Sequence, residues 1–127
     1  MEKLTIEIVQ QFLIQNEFEL KATQEKLSFP VLNRIFKKMK GGIIFSDISV
    51  KDGIICNGHH RYIASILADY VIKSSPGVTT SATLVVPWKS VLLLEDDYDT
   101  KAGIEVLNQR DAKYNNLSED DILELLK

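Results

Sequence analysis

A single cysteine in 127 residues leaves no internal disulfide and nothing that points to an oxidising compartment. No apolar run approaches the roughly 20 residues that a membrane-spanning helix needs. The opening "MEKLTIEIVQQ" has neither the basic start nor the long apolar stretch of a signal peptide. A cytoplasmic protein without membrane contact is the expectation, and export without a cleaved signal is the other route these residues leave open. Positive charge is also scarce: 15 lysines and arginines stand against 18 acids, for a net charge of −3. That balance argues against a broad basic surface gripping nucleic acid non-specifically, so any anion must be met locally. Repeats and low-complexity segments are absent. What the chain has in quantity is apolar residues, 45% of the total, enough for one core and one domain over residues 1–127.

Ile6, Val9 and Leu13, with Ile8 and Phe12, fall at helical spacings and predict an amphipathic helix over "LTIEIVQQFLIQ". Phe18, Leu20 and Leu27 predict a second, shorter one. Pro30 can open a third, with Leu32, Ile35, Phe36 and Met39 as its buried stripe and Gly41-Gly42 as its end. Lys37, Lys38 and Lys40 sit near that end, where a solvated face complementing the helix dipole is expected ahead of a phosphate-contacting patch. From Ile43 the pattern turns to strands: "IIFSDISV" and "IIC" flank Lys51-Asp52-Gly53, and Asp-Gly between β-rich runs signals a hairpin. "SSPGVTTSA" reads as a loop, then "TLVVPW" and "SVLLLE" as strands. Ile104, Val106 and Leu107, and later Ile122, Leu123, Leu125 and Leu126, return to helix, with Ser118 and Asp121 as a capping box. The sum is a small α+β domain, a small mixed sheet with N- and C-terminal helices.

One stretch departs from what stability alone would select. "IICNGHHRYIASILADY" (54–70) crowds His59, His60 and Arg61 at the first turn of a helix, the positive end of its dipole, where acids are favoured. Ile63, Ile66, Leu67 and Tyr70 supply a core face, and Arg61 shares a more polar stripe with Ser65 and Ala68 that faces a cleft or solvent. Unpartnered N–H groups at the helix start, Asn57 as a cap and Gly58 as a sharp turn complete what reads as an anion site. Cys56 reads as a strand residue rather than a nucleophile.

"NGHHRYIAS" resembles the Gly-x-x-Arg-aromatic-x-Ala signature of the ParB and sulfiredoxin superfamily, in which a strand, a glycine turn and a helix N-terminus cradle nucleotide phosphates. Gly58, His60, Arg61, Tyr62 and Ala64 match the sulfiredoxin form, and all of these except His60 match the ParB form. With the preceding hairpin, the resemblance spans residues 43–70. Sulfiredoxin's catalytic cysteine would fall at position 59, which is His59, and Cys56 does not align with it, so sulfinic-acid reduction is not implied. No helix-turn-helix with a basic face accompanies the motif, which sets aside a DNA clamp. The resemblance implies a ParB/sulfiredoxin-like core that handles phosphate, as in ParB-like nucleases and toxin-type effector domains. It also aligns His60 with a phosphate-binding histidine.

The expected phosphate-binding residues are therefore Asn57, Gly58, His60 and Arg61. Two imidazoles with ordinary pKa values near 6.5 could serve as base and acid, with Arg61 stabilising a phosphoryl oxygen. His59, His60 and Arg61 are thus the expected catalytic residues of a nuclease or nucleotide hydrolase. Adjacent helical side chains diverge by about 100°, which leaves one histidine free to be structural. The run Glu95, Asp96, Asp97 and Asp99 could hold Mg2+ beside a phosphate, or could simply fill a strand-to-helix loop. No metal site is assigned, and Mg2+ is the one cofactor these carboxylates leave open. A nucleotide or nucleic-acid phosphate is the expected partner. Two other classes stay in view: a non-catalytic nucleotide-binding module, and an immunity or adaptor protein with a basic protein partner. Residues 62–127 carry eleven acids against six bases, which suits the latter.

Overall fold

The computed structural model describes residues 3–127; Met1 and Glu2, which begin the stretch read for a signal peptide, lie outside them. Helix α1 (Ile6–Gln15) starts at Thr5, whose hydroxyl accepts from the Ile8 N–H at 3.2 Å and satisfies one donor that a helix start leaves open. Val9 and Leu13 are fully buried while Ile8 is half exposed. The short helix predicted from Phe18, Leu20 and Leu27 does not form. Lys21 bridges to Ile54 and Ala22 to Val86, so the backbone here bonds to distant partners instead of to itself. Leu27 then lies in strand β1 (Lys26–Ser28).

Helix α2 (Phe29–Lys40) is capped by Ser28, carries Pro30 in its first turn and ends at Gly41. Leu32, Phe36 and Met39 are buried as the spacing predicts, but Lys38 is not on a solvated face. It is 4% exposed, and its Nζ lies 2.7 Å from Asp111, a partner distant in sequence. Strands β2 (Ile48–Lys51) and β3 (Ile54–Asn57) form the antiparallel hairpin that Asp-Gly signals. Asp52 and Gly53 have φ of 51° and 77°, the paired positive values a two-residue turn requires. The strand starts at Ile48 rather than Ile43, because the backbone of Ile44 is taken by a side chain. Its N–H donates to Asn115 Oδ1 at 2.7 Å, and its carbonyl accepts from Asn115 Nδ2 at 3.1 Å.

After helix α3 (His59–Leu67), strand β4 (Ser74–Pro76) lies inside the stretch read as a loop and pairs parallel to β2. "TLVVPW" is not a strand: Leu84 and Val85 are exposed, and only Val86 bridges, to Ala22. A 3-10 turn at Trp88–Ser90 leads into β5 (Leu92–Leu94), which pairs parallel to β1. The domain is therefore α+β with two small sheets, β3-β2-β4 and β1-β5, where one had been expected. α3 packs chiefly on α2, flanked by β1 and β2. Ile63 is fully buried and Leu67 partly so, but the cover over this face ends before Ile66, which is 41% exposed. Ser65 and Ala68, expected on an outward stripe with Arg61, are buried; the Ser65 hydroxyl donates to the Tyr62 carbonyl at 2.6 Å.

Helices α4 (Lys101–Tyr114) and α5 (Glu119–Leu125) close the chain, capped by Thr100 and by the Ser118–Asp121 box. Asn108 and Ala112 are the buried positions of α4, and Val106, predicted as part of its apolar line, is exposed. Ile43, Ala112 and Ile122 form a second, small apolar cluster, with Phe45 packed against both it and the main core. Among the described residues, no helix is long and apolar enough to cross a membrane.

Candidate functional site

Everything at the site turns on Gly58. It takes φ of 107°, in the left-handed region, and a Cβ there would run into the Ile48 side chain and crowd the Arg61 guanidinium. Gly58, not Asn57, is the N-cap of α3, and no side chain caps this helix. The N–H groups of His59, His60 and Arg61 therefore open the helix without an intrahelical acceptor. Asn57 ends β3 instead, exposed on the wall of a cleft.

Both histidines are turned into the protein. His59, 3% exposed, accepts at Nε2 from the Thr23 N–H at 2.9 Å. The Thr23 hydroxyl is also 3.2 Å from that nitrogen, but its proton goes to the Ile55 carbonyl at 2.9 Å. His60 accepts at Nε2 from the Ser28 N–H at 2.9 Å and stands edge-on to Tyr98. A backbone N–H can only donate, so each Nε2 must be bare and each Nδ1 must carry the ring proton. Neither Nδ1 has a protein partner among the described residues, and both rings line the cleft. Burial pushes His59 down to about 4, with the neighbouring His60 adding to the shift. Burial likewise pushes His60 down to about 4, against a smaller opposing pull from Asp99. The three potential cations of the sequence thus reduce to one at neutral pH, Arg61. Neither imidazole therefore stands protonated at neutral pH.

Arg61 is half-buried. Its Nη1 donates to the Ser46 carbonyl, the Ser46 hydroxyl and the Asp47 carbonyl, each at 3.0 Å, which fixes the guanidinium without neutralising it. Burial first and the nearby Arg110 second lower its pKa from the usual arginine value, while Asp47 opposes them. The cleft has a volume of about 780 Å³ and runs between the start of α3, the side of α2 and the inner face of α4. Four cationic side chains line it, Arg34, Lys38, Arg61 and Arg110, against two carboxylates, Asp99 and Asp111. Cys56, on β3, lies on the same wall as a free thiol.

Two members of the acidic run are taken up by an arginine of the cleft wall. Arg34 donates to both oxygens of Asp97, at 2.7 and 2.8 Å, and to Asp99 at 3.1 Å, which ties the 95–100 segment to α2. Arg34 holds the Asp97 carboxyl below the usual carboxylate range. Among the described residues, no group of three histidine, cysteine or acidic side chains is placed to hold a metal ion.

His59, His60, Arg61, Asn57 and Gly58 therefore all meet at one cleft. Thr23, Ser28, Ser46 and Arg110 are the residues that sequence reading missed. Ser28 had a local signal, as a serine two residues before Pro30 at a helix start. The other three are brought in by tertiary contacts with no spacing to announce them. Compared with protein-family models, curated proteins and solved structures, the chain matches none.

Proposed function

We propose that this cleft binds the phosphate of a nucleotide or nucleic acid at the N-terminus of α3, the role implied by the ParB/sulfiredoxin-like motif. The observation that carries the reading is local charge: in a chain of net charge −3, Arg34 and Lys38 on the cavity wall are met by Asp97, Asp99 and Asp111, while Arg61 and Arg110 line the same cavity outside any ion pair among the described residues. Open helix N–H groups and the Nδ1–H donors of two neutral imidazoles stand beside them. In this reading His59 and His60 hold phosphate oxygens as hydrogen-bond donors and Arg61 supplies charge.

Binding without turnover is favoured, because both histidines are neutral and their Nε2 atoms are occupied. A second reading, a ParB-like nuclease or nucleotide hydrolase of the toxin-effector kind, draws support from Asp99, a carboxylate on the cleft wall close enough to raise the proton affinity of His60. A thermal-shift panel of nucleoside mono-, di- and triphosphates and short oligonucleotides, with and without Mg2+, tests the first. A ligand that binds only the native state raises the melting temperature, and a flat response across the panel would sink the phosphate reading. Release of phosphate or shortened oligonucleotide on incubation would promote the second reading over the first.

A further inference from the structure

The cleft's excess charge is not spread evenly. Arg34 is paired with Asp97 and Asp99, and Lys38 is closed off by Asp111 at 2.7 Å. Arg61 and Arg110, by contrast, have no carboxylate within ion-pair distance among the described residues. Two guanidinium-bearing residues, one from α3 and one from α4, thus line one cavity with neither closed into an ion pair, and like charges so placed repel until an anion enters. The opposite character appears beside them. Tyr114 is one turn along α4 from Arg110 and 62% exposed, and Ile44 is 59% exposed, yet both line the same cavity.

We propose that the ligand is a small nucleotide with a terminal phosphate, a phosphomonoester gripped between Arg61 and Arg110 with its flat base against Tyr114 and Ile44. An internal phosphodiester of a nucleic-acid strand is the poorer ligand. The inference rests on the reading of the cleft as a phosphate site and narrows it. A phosphomonoester carries about −1.5 to −2 charges at pH 7, enough to neutralise both guanidiniums, whereas a diester carries one. The monoester also offers three free oxygens where the diester offers two. The Arg110 fork, the Arg61 N–H groups not taken by Ser46 and Asp47, the N–H groups at the start of α3 and the His59 Nδ1–H on a ring that is 3% exposed can use all three. A cavity of about 780 Å³ lies within the range of small-molecule sites.

The experiment measures, by calorimetry, the affinities of the four nucleoside 5′-monophosphates, their 3′,5′-cyclic counterparts and inorganic phosphate. Wild type, Arg110→Ala and Arg110→Lys are compared. At least one 5′-monophosphate should bind wild type about tenfold or more tightly than its cyclic counterpart, the scale of one charge-assisted contact. Arg110→Ala should bring that ratio close to one, and Arg110→Lys should restore it in part, since a point charge lacks the planar fork. Arg110 is exposed, so an unchanged melting temperature without ligand is expected to show that the variants fold. Equal affinity for the two ester classes in wild type, or a preference that survives in Arg110→Ala, overturns the inference and leaves the phosphate reading standing. Binding of inorganic phosphate alone does the same, by removing the nucleoside. No binding of any probe to wild type overturns the inference, and the phosphate reading itself falls only if the thermal-shift panel of nucleotides and oligonucleotides is flat as well.

Discussion

An imidazole that accepts from a backbone N–H has its protonation decided by a partner that cannot turn away. Thr23 and Ser28 do this to His59 and His60, and stability acquires a pH dependence as a result. With native pKa values near 4 against about 6.5 in the unfolded chain, the unfolded state binds protons that the native state refuses. Stability from this source is fully present above pH 6.5 and is lost as pH falls from there towards 4, by at most about 3 kcal/mol for each imidazole. Denaturant titrations at pH 7, 5.5 and 4.5 check this, and His59→Gln should flatten part of the slope; an unchanged slope would clear His59 of the effect. Arg61→Ala should weaken binding of a phosphate ligand by about 1.5–3 kcal/mol, the range for hydrogen bonds to charged groups. It should also cost some stability, because the guanidinium satisfies the Ser46 and Asp47 carbonyls. Calorimetry at matched folded fraction separates the two effects.

The turn from β3 into α3 depends on one residue without a Cβ. Gly58→Ala should cost about 1–3 kcal/mol of stability through left-handed strain, with more from the clash with Ile48, read as a drop in denaturant midpoint. The contact between α2 and α4 makes a sharper case. Asp111→Ala leaves the Lys38 ammonium buried without its partner and should cost about 3–5 kcal/mol. Replacing the pair by Lys38→Met with Asp111→Leu should recover most of that loss, and comparing melting curves of the two variants decides it. These elements also divide what the sequence reveals from what it does not. The Asp52-Gly53 hairpin, the Gly58 turn, α2 and the Ser118 box were legible because their causes lie within a few residues. Strand β5 was legible too, within the apolar run "SVLLLE", whereas β1 and β4 have three residues each and exist only through partners far along the chain. The apolar run at Leu84 and Val85 therefore misled, and the burial of Lys38 is decided 73 positions away. At the cleft, the motif announced Gly58, His59, His60 and Arg61, but nothing local announced that burial would discharge the histidines or that α4 would bring Arg110.

At the scale of the whole molecule, the cleft lies between the part built on the main core and the C-terminal pair of helices. That pair rests on the small cluster of Ile43, Ala112 and Ile122, joined to the main core through Phe45, together with the Lys38–Asp111 ion pair, the Lys37 bond to the Leu126 carbonyl and the Asn115 bonds to Ile44. So small an anchorage sets a low ceiling on the free energy of detaching the pair, and detachment need not disturb Leu13, Leu32 or Ile63 in the larger core. Amide hydrogen exchange should then report two protection classes. The amides of α4 and α5 should exchange together through a shared opening of lower energy, and those of α2 and α3 only near the energy of global unfolding. Uniform protection across the four helices would show a single cooperative unit instead. If the classes do separate, one wall of the cleft is a door on its own hinge, and a ligand held from both sides would slow exchange most in the helices that do not carry the motif.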